Sequence, residues 1–281
     1  MNATLTVYIS CLANSFRSPG AIINYLQGVK SVHLMLDLPF PCLQLYMFRM
    51  QLRGIQKQLL HCPKRAGILT PQILNKCYRK LSRSNTFLLA NWAVYTIAFF
   101  SFARLANLVP RTRHMFNVLH HLTRSDVLLT KDCILIRFKW TKTIQDGSRI
   151  LSIPLVRIPN SNLCPVSAYS ALLSKVNISP NRSAFCYNRN GKVVTLTSHQ
   201  VVTTLRHLLK AIGLDGSHFS GHSFRRSGTT WAFRAGVRTE AIKAQGDWKS
   251  SAYLNYIQMT DNQKSMISRQ MADALNLSFG P

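Results

Sequence analysis

The sequence predicts a mainly helical protein with a small antiparallel β-sheet, an α+β fold. Three observations carry that expectation. Apolar residues recur at helical spacing over most of the chain. Alternating or continuous apolar runs of strand length are confined to residues 125–156, and an Asp-Gly pair falls between the last two of these runs. At 281 residues the chain suits one large domain, or one large and one small.

In chain order, Ser18 to Gln58 reads as short helices separated by the LDLPFPC break at residues 36–42. In YMFRMQLRGIQKQLL, residues 46–60, Arg49, Arg53 and Lys57 recur every four positions and share one helical face, while Phe48, Leu52, Ile55 and Leu59 line another. HCPKRAGILTP has linker character and places the boundary between a small helical domain, residues 1–66, and a larger one, residues 67–281. Thr70 and Pro71 fit the N-cap and first residue of a helix. A long helical region is expected from about Gln72 to Leu108, ending at Pro110. Its segment FLLANWAVYTIAFFSFA holds Asn91, Thr96 and Ser101 and reads as a buried core helix, too short and too polar for a membrane span. SDVLLT, CILIRFKWT and RILSIPLV read as strands. The second puts Ile134, Ile136, Phe138 and Trp140 on one face and Arg137 and Lys139 on the other, and IQDGSR supplies a hairpin turn. A Pro- and Asn-rich loop is expected around residues 158–192. The remainder reads as helical: SHQVVTTLRHLLKAIG, SFRRSGTTWAFRAG, TEAIKAQG, SAYLNYI and NQKSMISRQMADALNL.

Charge narrows the function. Lys and Arg total 35 against nine Asp plus Glu, a net charge of +26, and Glu240 is the only glutamate. Such an excess implies a polyanionic partner, most often nucleic acid, because each neutralised phosphate releases condensed counterions. Neither a membrane nor a small-molecule substrate is expected. So few carboxylates, dispersed along the chain, argue against paired-carboxylate catalysis and acid-rich metal sites. The seven cysteines form no CxxC pair and read as reduced thiols of an intracellular protein, nuclear if the source is eukaryotic.

The chemistry is easiest to locate in GHSFRRSGTTWAFRAG. His222 and Arg225 are three residues apart at the start of a helix, so both leave one face beside a positive helix end. A guanidinium that grips two phosphate oxygens and an imidazole that donates or carries a proton suit a phosphodiester. An HxxR pair alone is a weak signal. Arg226 projects about 100° away from Arg225 and is expected to meet DNA backbone or solvent.

The order of motifs is more specific. FFSFARLANLVP with Arg104, KWTKTIQDG with Lys142, HSFR, GDW with Trp248 and then Tyr256 eight residues on resemble the tyrosine recombinases, a family that includes the phage integrases. The likeness spans about residues 70–260, with the preceding segment similar to that family's small helical core-binding domain but short for a complete one, as if it lacked a first helix. GDWKSSAYLNYI and WTKTIQDG look most like transposon-derived recombinases of eukaryotes, of the Crypton type. The resemblance implies DNA strand cleavage and rejoining through a covalent 3′-phosphotyrosyl link, with neither metal nor other cofactor. It implies Tyr256 as nucleophile, Arg104 and Arg225 as clamps on the phosphate, and Lys142 as proton donor to the departing 5′-oxygen. His222 would assist proton transfer and Trp248 would hydrogen-bond the phosphate. DNA-backbone contacts are expected from Arg49, Arg53, Lys57 and Arg226. Lys139 rivals Lys142, whose place nearer the turn favours it. Tyr253 rivals Tyr256, which its position relative to Trp248 and Ile257 favours. Asn107 stands where many members carry Glu, and the spacing from Trp248 to Tyr256 is one residue shorter than usual. A homotetramer on DNA is implied, its C-terminal helix presenting Met266, Ile267, Met271, Ala274 and Leu275. The competing readings are a catalytically weak, domesticated DNA-binding protein and a type IB topoisomerase.

Overall fold

The computed structural model describes residues 2–61, 65–145 and 147–259, and beyond them 261, 265, 268, 269, 271 and 272. The chain forms two compact units, Met1–Arg65 and Ala66–Pro281.

The first unit contains α1 (Asn2–Ser15), α2 (Pro19–Met35) and α3 (Tyr46–Gln58). Leu5, Ile9 and Leu12 of α1 lie on one face and meet Ile22, Leu26, Phe48 and Ile55 in a small core. Gln51 of α3 donates to the Thr6 carbonyl at 2.8 Å and to the Ser10 hydroxyl at 3.0 Å, tying α3 to α1. Phe48 and Ile55 are buried while Arg49, Arg53 and Lys57 are exposed, as the periodicity of α3 requires. The first helix, α1, precedes the stretch in which the sequence suggested helices.

In the second unit, α4 (Pro71–Tyr78) opens on Thr70, whose hydroxyl accepts from the Ile73 amide at 3.2 Å. The continuous helical region expected to follow is three helices: α4, α5 (Thr86–Ser101) and α6 (Leu105–Leu108). Asn85 restarts the helix by accepting from the Phe87 and Leu88 amides at 2.9 and 3.3 Å, and Phe102, at φ +52°, ends it. Eleven residues of α5 are buried, which makes it the axis of the main core. No described helix is long and apolar enough to cross a membrane.

Strands β1 (Val127–Leu129), β2 (Cys133–Phe138) and β3 (Leu151–Val156) form an antiparallel sheet in chain order. Residues 139–150 join β2 to β3, a longer connection than a two-residue Asp-Gly turn. Within it Thr141 and Ile144 pair as an isolated bridge and Gly147 takes φ +70°, whereas Asp146 lies outside the described residues.

The stretch expected to be a loop holds α7 (Pro165–Leu173) and a second, two-stranded sheet of β4 (Cys186–Arg189) and β5 (Lys192–Thr195). Asn190-Gly191 joins these strands with both residues at positive φ, the backbone that a tight hairpin demands. Then come α8 (Ser198–Ala211), α9 (Gly221–Arg234) and α10 (Thr239–Gln245), and SAYLNYI is a 3₁₀ turn, Ser251–Tyr256, in place of an α-helix.

The position of α9 is set by its approach to α5. Tyr95 stacks on Phe224 with ring centroids 5.0 Å apart. At Gly228 a Cβ would lie 1.9 Å from the Phe99 carbonyl oxygen, so only glycine permits the two backbones to come this close. That contact brings the start of α9, and with it HSFR, beside the α5–α6 corner that carries Arg104.

Candidate active site

Arg225 is the centre of the site. It is only 2% exposed, and its terminal nitrogens donate to the carbonyls of Phe102, at the end of α5, and Gly246, after α10, the latter at 2.8 Å. Its Nε has no hydrogen-bond partner among the described residues. The guanidinium carbon sits 3.7 Å from the centroid of the Trp248 ring and 5.5 Å from that of Tyr256. Burial, and then the neighbouring Arg104, push Arg225 down to about 10, while Tyr256 and Asp247 pull the other way. This is a cation held by carbonyl dipoles and two aromatic faces, with donor capacity to spare for an anion.

Trp248 is 8% exposed and packs on Phe102, Tyr253 and Tyr256 at centroid distances of 6.5, 6.2 and 5.5 Å. Gly246 makes room for it, since a Cβ there would fall 1.6 Å from Trp248 Cζ3. The 3₁₀ turn carrying both tyrosines is anchored by Thr230 of α9, which donates to the Tyr256 carbonyl at 2.8 Å. Of the two tyrosines, Tyr256 is the one stacked against Arg225.

Arg104 caps α6, half-buried, and with Asn107, Thr141, Arg225, Gly246 and Asp247 it lines one narrow cavity. His222, in the first turn of α9, is exposed. Partial burial, and then Arg104 and Arg225, hold its pKa below the ordinary imidazole value. The neutral imidazole is therefore favoured near neutral pH, and that is the form able to accept a proton.

The two candidate lysines differ in their surroundings. Lys139 is ion-paired to Asp126 at 2.7 Å and donates to the Val118 carbonyl at 2.8 Å. Lys142 is exposed at the tip of the tight turn closed by Thr141 and Ile144, which exchange backbone hydrogen bonds of 3.0 and 3.2 Å. That turn is fastened to the residue before Trp248. Thr141 donates to Asp247 at 3.1 Å, Thr143 donates to the same oxygen, and Arg149 pairs with the other.

Arg226, expected to face DNA or solvent, is half-buried and donates to the Ala66 carbonyl and to Gln258. It ties the entry to α4 to the chain beyond Tyr256. Arg49, Arg53 and Lys57 lie exposed on α3 of the first unit. Of the apolar stripe expected near the C-terminus, Met271 is exposed, and Met266, Ile267, Ala274 and Leu275 lie outside the described residues. Among the described residues no cluster of three His, Cys, Asp or Glu side chains forms a metal site.

Sequence reasoning missed Asp247 and its threonine partners, as well as Gly228 and Gly246. For Asp247 a signal was present: one of nine acidic residues in a very basic chain stands directly before the motif tryptophan.

The family model described as the phage integrase family matches residues 118–263, more than half of the chain. The chain belongs to the phage integrase family. The matched span contains Lys142, His222, Arg225, Trp248 and Tyr256 and begins after Arg104. Solved structures agree on the fold of this family. The Tn1549 transposon integrase in complex with transposon right end DNA matches with a TM-score of 0.58 at 14% identity, covering 95% of this chain and 84% of that one. XerA recombinase matches with a TM-score of 0.51 at 19% identity, over 95% and 81%. The XerH site-specific recombinase bound to palindromic difH substrate matches with a TM-score of 0.53 at 14% identity, over 79% of this chain, which spans 62% of the XerH chain. No curated protein sequence matches.

Proposed function

We propose that this phage integrase family member cleaves and rejoins DNA strands through a 3′-phosphotyrosyl intermediate, with Tyr256 as the nucleophile. The observation that carries the reading is the stacking of Trp248 and Tyr256 on one buried guanidinium, that of Arg225. The HSFR, GDW and Tyr256 motifs meet there, and the meeting point has the chemistry of a phosphate clamp. The Tyr256 oxygen attacks phosphorus, the P–O5′ bond breaks, and the 5′-oxygen leaves as a hydroxyl after taking a proton from Lys142. His222, easily deprotonated, accepts the tyrosine proton. Arg104 and Arg225 offset the charge that builds on the non-bridging oxygens, and the Trp248 indole N–H donates to one of them. Rejoining runs the same steps backwards with a different 5′-hydroxyl, so the phosphodiester's energy is kept in the protein link.

The net charge of +26 and the exposed Arg49, Arg53 and Lys57 support double-stranded DNA as the partner. The solved relatives are a transposon integrase and a site-specific recombinase bound to DNA, which supports recombination or integration over relaxation of a single duplex. A tetramer on DNA, a core-binding role for the first unit and action in the nucleus of a eukaryotic source complete the reading. The narrower placing among Crypton-type enzymes rests on GDWKSSAYLNYI and WTKTIQDG alone. The test is covalent capture: nicked suicide duplexes covering the DNA that flanks the coding sequence should yield a detergent-resistant protein–DNA band. Salt-sensitive binding without such a band would favour the domesticated DNA-binding protein.

A further inference from the structure

We infer that Asp247 is a positioning residue for Lys142, holding the β2–β3 loop in register with the Trp248–Tyr256 segment so that the lysine meets the leaving oxygen. The inference rests on the strand-cleavage reading above and deepens it.

Among the described residues no side-chain hydrogen bond or ion pair orients the exposed Lys142, and its flexible stem is aimed through its backbone. The two residues flanking it, Thr141 and Thr143, both donate their hydroxyls to one oxygen of Asp247, and Arg149, on the far side of the loop, takes the other oxygen. Within the turn, the Thr143 amide donates to the Thr141 hydroxyl at 3.1 Å, which fixes that hydroxyl's orientation. One carboxylate therefore gathers three points of a long connection, the two residues beside Lys142 and one on the far side of the loop.

The other end of the link is equally constrained. The Asp247 backbone is at φ +54°, a region that Asp tolerates better than most residues because its short side chain bonds locally. Gly246 on one side gives its carbonyl to Arg225, and Trp248 on the other stacks on the same guanidinium. Asp247 thus stands between the phosphate clamp and the proton donor, with its side chain only 12% exposed. Among the described residues, the side-chain hydrogen bonds of this largely enclosed carboxylate all come from one loop, which it serves to hold.

A leaving-group substitution separates this role from a general loss of structure. The site cleaved by the wild type is first mapped and then resynthesised with sulfur in place of the bridging 5′-oxygen. A thiol ionises with a pKa of about 8.5, whereas water, and with it an alkoxide leaving group, needs about 15.7, so the sulfur departs without a donated proton. With Asp247→Asn, cleavage of the oxygen duplex should slow by roughly 10- to 100-fold, part of what a positioned general acid supplies, while the sulfur duplex should be cleaved within about threefold of the wild-type rate. Lys142→Ala should show the same pattern, and Thr143→Val combined with Asp247→Asn should cost less than the product of the two single losses. Equal slowing of both duplexes by Asp247→Asn, or slowing of neither, would overturn the inference. If the wild type itself cleaves neither duplex, the strand-cleavage reading falls and this inference falls with it; loss of the pattern with an active wild type removes the inference alone.

Discussion

Replacing Arg225 with Lys keeps the positive charge and removes the fork. A guanidinium reaches the Phe102 and Gly246 carbonyls together while its carbon sits over the Trp248 ring; an ammonium is a point donor that reaches one of them at best. Leaving one buried carbonyl without its donor costs about 1–3 kcal/mol. Losing the cation–π contact with Trp248, 3.7 Å away, costs about 0.5–2 kcal/mol. At about 2–4 °C per kcal/mol for a unit of this size, the melting midpoint of Arg225→Lys should fall by roughly 5–15 °C. Cleavage, measured below that lowered midpoint as the rate of covalent complex formation, should fall by about 10²–10³-fold, the usual loss on removing one donor to a developing oxyanion. Thermal melting by circular dichroism and gel capture on one preparation read the two effects separately. A midpoint within about 2 °C of wild type together with an undiminished rate would refute the reasoning, because Arg225 would then neither join the two carbonyls nor clamp the phosphate.

Gly228→Ala puts a methyl 1.9 Å from the Phe99 carbonyl oxygen, so α9 must move off α5 at a cost of at least about 1–3 kcal/mol, visible as a lowered midpoint in thermal melting. DNA affinity measured by fluorescence anisotropy should fall with salt at a log–log slope of roughly −5 to −9, as for six to ten phosphate contacts, and a flat response would contradict a DNA partner. Because the folded pKa of His222 is depressed, protons bind the unfolded chain more readily. Stability from this group is then present above its unfolded pKa of about 6.5 and lost as pH falls. The acid limb of cleavage should accordingly lie below about pH 6.5 and disappear in His222→Gln, read from the rate of covalent complex formation between pH 5 and 8.

The sequence foretold parts of this protein where a local rule dominates. Thr70-Pro71 at the start of α4 and the two faces of α3 follow from capping and from a four-residue repeat. The three β-runs are short apolar patterns with one arrangement that buries them, and they pair as an antiparallel sheet. Misreadings arose where one feature masked another. The apolar run through α5 hid the break at Ser82–Asn85, since Asn85 acts as a cap only once the chain before it turns away. The polar residues around 158–192 hid the Asn190-Gly191 hairpin, although that dipeptide is itself a strong turn signal. At the site, the order of motifs brought Arg225, Trp248 and Tyr256 to attention, but spacing carries no information on packing. That Lys139 is occupied by Asp126, that Arg226 is turned inward to Ala66, and that Asp247 gathers the Lys142 loop all depend on contacts between residues distant in sequence.

The central claim is that Tyr256 attacks DNA. Wild type, Tyr256→Phe and Tyr253→Phe, each confirmed to be folded by circular dichroism, should be incubated with the suicide duplexes and resolved in detergent. The account predicts a covalent band for wild type and Tyr253→Phe and none for Tyr256→Phe, whose ring still packs on Trp248 and Arg225 but lacks the attacking oxygen. A band that persists in Tyr256→Phe and vanishes in Tyr253→Phe would contradict it.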